Sequence, residues 1–413
     1  MRRKSVWRGL LGVEETVVKR VELDDEAGSV VAVVRPYRRL RDRCGLCGRR
    51  CGRYDAGEGR RRWRGLDLGT VPVYLEAEAP RVDCREHGVT VTAVPWARHG
   101  SRFTRAFEDQ AGWLVTHTSR SAVSELMRVA WRTVGGIITR VVREAEGVVD
   151  RLAGLRRIGI DEISHRKGHK YLIVVVDHDT RRLVWATAGR DEAALSKFFE
   201  ALGPRRCALL KLVSADAAPW IASVVRRYCP QARLCLDPFH VVAWATDALD
   251  QVRRQVWNAA RRTRRHGLAR ELKGARFALW KNPENLTRRQ EAKLASIRHL
   301  NEPLFRAYLL KEQLRQVFRT GGSLGKEILG EWLQWARRCR LRPFVKVAQT
   351  ISRHRADIEA TLDLGLSNAL VESVNTKIRL LTRIAFGFHS AEALISLAML
   401  ALGGLCPPLP GRA

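Results

Sequence analysis

Two sets of side chains in this sequence have the types and spacing to do chemistry. The first is sulfur and imidazole. CGLCGRRC supplies Cys44, Cys47 and Cys51, and CREH supplies Cys84 and His87. A two-residue spacer lets both members of a pair reach one ion from a tight turn, and four such ligands suit tetrahedral Zn²⁺. Cys44, Cys47, Cys84 and His87 therefore read as a Cys₃His zinc set, with Cys51 as a spare that could replace one ligand. Four protein ligands leave no open position for water, so the expected role is structural. The competing reading is a chance cluster in an Arg-rich loop. Cys207, Cys229, Cys235, Cys339 and Cys406 show no such pairing and are expected as small buried hydrophobes.

The second set is carboxylate. Asp161 follows the apolar run RRIGI, and Asp216 ends LKLVSAD. Chemistry in sheets of this kind collects outside strand ends. Two carboxylates brought together there are hard to keep ionised without a cation. Mg²⁺ or Mn²⁺ is hard and oxygen-seeking, and two such ions can serve both the attacking and the leaving oxygen of a phosphodiester. A third acid is wanted from a helix. LGLSNALVESVNTKIRLLTRIAFGF offers Glu372, with Asn375 and Arg379 three and seven residues on. Each acid alone has an ordinary explanation: Asp216 as a helix cap before APW, Glu372 as an exposed helix acid. The argument rests on the set. Asp177 and Asp179, in DHDTRR, are expected to turn the chain, and Glu162 to face away from Asp161.

The charge says what these groups work on. There are 74 Lys and Arg against 43 Asp and Glu, a net +31. A surface this basic implies a polyanion, and nucleic acid leads because binding releases counterions from phosphates. A hydrophobic share of 46% excludes disorder throughout. The opening MRRKSVWRGLLGVEE lacks the apolar run of a secretory signal, and ALISLAMLALGGL is too short to span a bilayer. A soluble, cytoplasmic, nucleoid-associated protein is expected, in which the thiols stay reduced.

Several elements must position these groups. Residues 1–100 mix short β-like runs with the Cys and Arg, and a hairpin around LDLGTVPVYLEAEAP should fill the gap between the ligand pairs. Residues 101–150 read as three helices, with Ser121 as a cap and Trp131, Val134, Ile138 and Val141 or Val142 on one apolar face. Following a zinc module, they read as a helix-turn-helix whose last helix enters a major groove; a plain three-helix linker is the rival. Arg128, Arg132 and Arg140 are its candidate DNA contacts. Residues 156–242 alternate in the order β-β-β-α-β-α-β, with RRIGIDEI, KYLIVVVDHD, RRLVWATAG, ALLKLVSADAA and ARLCLDPFHVV as strands. That order calls for a mixed five-stranded sheet with helices packed on it. Lys377, Arg379 and Arg383 could meet phosphates beside Glu372.

IGIDEISHRKGHKYLIVVVD, DPFHVV and SNALVESVNTKIRLLTRIAFGF resemble the ISL3 family of bacterial insertion-sequence transposases. The CxxC…CxxH module, the helix-turn-helix and the acid-bearing region come in that family's order. The resemblance implies an RNase H-like catalytic core with a DDE triad. Asp161 and Glu372 carry over directly. For the middle acid it implies Asp216, at the end of the fourth strand, with Asp237 as the alternative. Asp237 and His240 resemble a D-x-x-H element after the fifth strand, and His240 would be auxiliary or simply structural. It also implies a mainly helical insertion. The expected layout is multidomain α+β: a zinc-binding module over 1–100, a helix-turn-helix over 101–150, the core's first part over 156–242, the insertion over 243–365, and the core's final helices over 366–402. The basic insertion interleaves Trp257, Phe277 and Trp280 with Arg, which suits DNA, although a solvated face would look similar.

The expected function is DNA transposition: binding terminal inverted repeats, cleavage with two Mg²⁺ or Mn²⁺ ions, and strand transfer into target DNA. A homodimer or larger assembly would synapse two ends. The alternatives are a transposase-derived DNA-binding regulator without catalysis and a nuclease sharing the core.

Overall fold

The structure is a computed structural model that describes residues 3–166 and 168–412. The chain divides into two compact units, residues 1–151 with 378–413, and residues 152–377.

The first unit opens with α1 (Arg3–Leu10) and then builds two small sheets. Strands β1 (Thr16–Asp24), β2 (Ser29–Pro36), β4 (Arg60–Arg64) and β5 (Val73–Glu78) lie in the order β1-β2-β5-β4. Strands β3 (Gly52–Asp55), β6 (Arg81–Cys84) and β7 (Gly88–Val91) form an antiparallel sheet in the order β3-β6-β7. The hairpin between the ligand pairs is β4 on β5, paired antiparallel. Its inward face alternates, burying Val73, Leu75 and Ala77. Trp63 and Trp96 meet edge to face beneath it, with ring centroids 5.5 Å apart.

Three helices follow: α2 (Arg105–Val115), α3 (Arg120–Leu126) and α4 (Trp131–Val148). Thr104 caps α2 by accepting from the Phe107 N–H. Ser119, rather than Ser121, caps α3, accepting from Ala122 N–H at 3.1 Å. The apolar face of α4 is Val134, Ile137, Ile138, Val141 and Val142, all buried. Trp131 was expected on that face. As the first residue of the helix it lies outside the core instead, with the Arg120 guanidinium 4.4 Å from its ring centroid.

In the second unit, β8 (Arg157–Arg166), β9 (Lys170–Asp177), β10 (Leu183–Ala188), β11 (Leu212–Ala215) and β12 (Arg233–Leu236) form one sheet ordered β10-β9-β8-β11-β12. The first three pair antiparallel, while β8 with β11 and β11 with β12 pair parallel. The sheet is mixed, as the element order requires. α5 (Glu192–Leu202), α6 (Pro204–Cys207) and α7 (Pro219–Tyr228) accompany it, and Phe198, Phe199, Val224 and Val225 join Ile158, Ile160 and Val213 in one core. β9 reads as an unbroken apolar run because both its faces are buried. Two strands are shorter than their sequence suggests. Ala208 and Leu209 continue the turn of α6, and Pro238 starts a helix, so DPFHVV leaves the strand at Leu236.

Beyond β12 comes a helical region of α8 (Pro238–Arg262), α9 (His266–Lys273), α10 (Arg276–Trp280), α11 (Arg288–Leu300), α12 (Glu302–Thr320), α13 (Gly322–Arg338), α14 (Arg342–Arg353) and α15 (Arg355–Leu364). They share a core around Leu249, Leu310, Trp332, Phe344 and Ile351. Trp332, fully buried there, donates its Nε1–H to the Leu310 carbonyl at 2.7 Å. α15 returns to the sheet edge, where Thr361 donates to the Leu236 carbonyl at 2.8 Å. α16 (Ala369–Ile384) follows, then α17 (Ala391–Leu402), which packs on α4 and clusters with the first unit. Among the described residues no helix is long and apolar enough to cross a membrane.

Candidate active site and metal centre

The sheet register places three aspartates side by side. β8 and β11 pair as far as Gly159 with Ser214. Continued by two residues, that register sets Asp216 level with Asp161. β11 and β12 pair as far as Ala215 with Leu236, so the next step sets Asp237 level with Asp216. The parallel strands thus carry one acid each to the level where β11 and β12 end, while β8 runs on past Asp161 to Arg166.

These acids have different surroundings. Asp161 accepts the Glu162 N–H and the Asn375 side-chain amide, both at 2.7 Å. Burial and the neighbouring Asp216 push its carboxyl up to about 7, against the pull of the Glu162 N–H and of His240. Asp237 is buried and accepts the Asn368 N–H at 3.2 Å. Asp216 is half-buried, with 26% of its side chain accessible. His240, one turn into α8, brings Nδ1 to 2.9 Å from Asp216 and 3.1 Å from Asp237. Asp216 first, then Asp237, raise the imidazole to about 10, so it is a cation at neutral pH. Asp216, Asp237 and His240 present ligand atoms within 4.8 Å of one another, a group that could hold a metal ion. Asp161 and Glu372 stand outside that group.

Glu372 is exposed in the first turn of α16. Buried residues just before it fix where that turn lies. Asn368 donates its side-chain amide to the Ile160 carbonyl at 3.1 Å and accepts from Ser214 Oγ at 2.6 Å. Ser214 has spent its proton, so His178 Nε2–H donates to it at 2.9 Å. Gly159 lets the helix come this close: a Cβ there would meet Val371 Cγ2 at 2.3 Å and Ser214 Oγ at 3.0 Å. Beyond Glu372, the residues Thr376, Arg379 and Arg383 recur at helical spacing and are exposed, as is Lys377. Sequence reasoning missed Asn368, Ser214 and His178; the only signal was SNAL, a helix-start pattern whose Asn was free to cap. Asp177 turns the chain as expected, accepting from the N–H groups of Asp179 and Thr180 at 3.0 and 3.1 Å.

The sulfur ligands also converge. Cys44, Cys47, Cys84 and His87 form the other group of close ligand atoms among the described residues. Cys47 and Cys84 Sγ are 3.8 Å apart, and His87 Nδ1 lies 3.6 Å from Cys84 and 3.8 Å from Cys44. Ligands roughly 2.1–2.3 Å from a tetrahedral Zn²⁺ are separated by about this much. Backbone N–H groups of Glu86 and His87, with the His87 ring, lower the Cys84 thiol to about 6, which favours the thiolate a metal needs. Cys51 lies beside the group and turns its thiol to the Arg49 carbonyl at 3.3 Å.

In the three-helix region the candidate DNA contacts divide. Arg132 is exposed on α4. Arg128 sits at the α3–α4 turn with φ +52°, ion-paired to Asp67 and donating to the Thr70 carbonyl at 3.0 Å. Arg140 donates to the buried Glu108 at 2.7 Å. Glu108 belongs to a network the sequence did not reveal. Arg98 reaches Glu108 at 3.3 Å, Asp109 at 2.6 Å and Glu144 at 2.7 Å, and Arg105 also pairs with Glu144.

Three family patterns match the chain. Residues 41–87 match one described as "zinc-finger of transposase IS204/IS1001/IS1096/IS1165", residues 92–142 the "Helix-turn-helix domain of transposase family ISL3", and residues 158–398, more than half the chain, its "Transposase" domain. Along its full length the chain is 56% identical to the "Transposase for insertion sequence element IS1557" of Mycobacterium tuberculosis, covering 98% of that protein. It is 26% identical to the "Transposase for insertion sequence element IS1001" of Bordetella parapertussis, with 94% of this chain and 96% of that one aligned.

Proposed function

The chain belongs to the ISL3 family of insertion-sequence transposases, and from that premise we propose that it cuts and joins DNA with Asp161, Asp216 and Glu372 as a DDE set. The strand order, with the second strand antiparallel and the insertion after the fifth, supports reading the second unit as an RNase H-like core. The observation that carries the proposal is the register that sets Asp216 level with Asp161.

The pocket suits a hard cation. Asp161 is enclosed beside a second carboxylate, and the buried Asn375 Oδ1 next to it has no hydrogen-bond partner. Asp161, Asp216 and Glu372 would hold Mg²⁺ or Mn²⁺, which when bound supplies Lewis acidity to the attacking and leaving oxygens. The protein's own contributions follow from the geometry. Asn375 orients Asp161 through its amide. Asp237, with both oxygens engaged, orients His240 rather than competing as the middle acid. His240 is held cationic beside Asp216, placing positive charge where a phosphate must approach. The Asn368 contacts fix the first turn of α16 and so the direction of Glu372.

Cys44, Cys47, Cys84 and His87 would hold a structural Zn²⁺. The zinc module and the helix-turn-helix would bind the element's terminal inverted repeats. Arg132 is left to contact DNA from α4, because Arg128 and Arg140 are engaged within the protein. Lys377, Arg379 and Arg383 would meet phosphates beside Glu372, and a homodimer would hold two ends together.

A strand-transfer assay on DNA carrying the element's own ends tests this. With Mg²⁺ present, cut ends should be joined to target DNA, and Asp161→Ala or Glu372→Ala should abolish both steps. Full activity in either variant overturns the assignment. Binding without cleavage under any divalent metal would favour a regulator instead.

A further inference from the structure

A cleft of about 540 Å³ opens where α8 begins, between that helix, α10 and α12. Its size falls within the range of sites for small aromatic ligands. Its apolar lining is Phe239, Val242, Ala243, Trp280 and Phe318. Its cations have acids beside them. Lys311 is buried and paired with Glu312, Arg315 holds Glu284 with two hydrogen bonds of 2.8 and 3.0 Å, and Arg319 lies 3.8 Å from Glu284. A free phosphate would find little unmatched charge there. A neutral, flat, aromatic group would find stacking surface, and a few polar groups for its edge. Asn282 and Asp247 line the cleft, and Trp280 Nε1–H is buried with no partner. The Trp280 ring already takes the Arg276 guanidinium at 4.0 Å from its centroid, which holds the indole in place.

The cleft's position says which aromatic group arrives. Phe239 is 67% exposed. It stands between Asp237 and His240 in the first turn of α8, and its ring meets the His240 ring edge to face at 5.7 Å. The cleft and the acidic cluster therefore share one helical turn. DNA whose backbone reaches Asp216 brings to Phe239 the nucleotide next to the cleaved phosphate. The neutral aromatic group of a nucleotide is its base. Within a duplex the base is stacked, so entry requires it to leave the stack, and stacking on side chains offsets that cost.

We infer that this cleft receives one nucleobase, unstacked from the DNA end beside the cleaved phosphate, between Phe239 and Trp280. The inference rests on the transposase reading of the acidic cluster and names the part of the substrate that the neighbouring helices grip.

The test uses the full chain and duplexes spanning the element's own end, with 2-aminopurine placed singly at each position within three nucleotides of the cut. One position should brighten severalfold on binding, as the probe leaves the stack. Phe239→Ala and Trp280→Ala should erase most of that rise and slow cleavage on intact DNA by about 10-fold or more, while Phe239→Tyr retains both. An abasic nucleotide at the responding position should bring the alanine variants to the wild-type rate on the same DNA, which a folding defect would not allow. If wild-type protein cuts the ends yet no position brightens, or if the alanine variants cut intact DNA normally, the cleft has no such role and the transposase reading stands. If wild-type protein cuts no element end with any divalent metal, that reading fails and the inference falls with it.

Discussion

Glu108 and Asp161 are both carboxylates enclosed by a protein of net charge +31, and the protein treats them in opposite ways. Glu108, fully buried in the first unit, accepts from Arg140 and Ser101 at 2.7 Å and pairs with Arg98. Asp161, in the second, accepts from a backbone N–H and a side-chain amide, and its close charged neighbours include another acid. Arginine is abundant in this sequence, so the supply of cations does not explain the contrast. Matched charge builds structure. On the proposed reading, unmatched charge would keep a place for a cation that the chain does not provide.

Removing each acid should therefore break different things. Asp161→Asn keeps the shape and removes the repulsion from Asp216. Strand transfer should fall by about 10³-fold or more, the scale of losing an essential charged group in a site of this type. The metal-free protein should melt no lower than wild type. A large loss of melting temperature would mean that Asp161 is structural, and the contrast with Glu108 would collapse.

Glu108→Ala should show the reverse. Arg98 and Arg140 lose a buried partner, and breaking such a pair costs about 3–5 kcal/mol. The first unit should unfold at markedly lower denaturant concentration, taking binding of the element ends with it. Hydrogen exchange over residues 105–148, compared with residues 157–177, reads the two units separately. Equal loss of protection in both would show that the network is not confined to the first.

How much of this was legible in the sequence depended on distance along the chain. The convergence of Cys44, Cys47, Cys84 and His87 was readable because each pair is local and its spacing carries the geometry. The apolar face of α4 and the order of the five strands came from periodicity. The pairing of Arg98 with Glu108, Asp109 and Glu144 was not readable, because nothing in a run of charges says which arginine turns inward. For the same reason Arg140 looked available for DNA. The level placement of Asp161, Asp216 and Asp237 is a property of register, and register appears only when the strands are laid side by side. Asn368 was quoted as part of a motif, but its partners Ile160, Ser214 and Asp237 lie far away in sequence.

Gly159→Ala probes the packing that directs Glu372 without touching any acid. The new Cβ would overlap Val371 and crowd His178 and Ser214. Overpacking of this kind costs about 1–3 kcal/mol. α16 should shift off the sheet, reducing catalysis more than end binding. Cleavage and binding falling together would indicate general unfolding of the second unit instead.

The mildest probe is acid, and it sharpens the comparison through groups that do not hold metal. His178 is kept below its ordinary value of 6.5, first by burial and then by Arg157, outweighing Asp177 and Asp179. Its neutral form fits the hydrogen bond to Ser214, so the unfolded chain binds the proton more readily. The stability it contributes is present above about 6.5 and lost as pH falls through the lower folded value. In the first unit, burial raises Glu144, but Arg105 and Arg98 prevail and hold it below its ordinary 4.5. Its contribution is present above about 4.5 and lost only as pH falls further. Other groups titrate in the same range, Asp161 and Cys84 among them, so each contribution is read as the difference between wild type and a variant of the metal-free protein. The difference between wild type and His178→Gln, followed by hydrogen exchange over residues 157–177, should shrink as pH falls below about 6.5, whereas that between wild type and Glu144→Gln, over residues 105–148, should hold until pH falls below about 4.5. If both differences decline over the same range, the two networks do not titrate independently, and the division between matched and unmatched charge does not extend to stability.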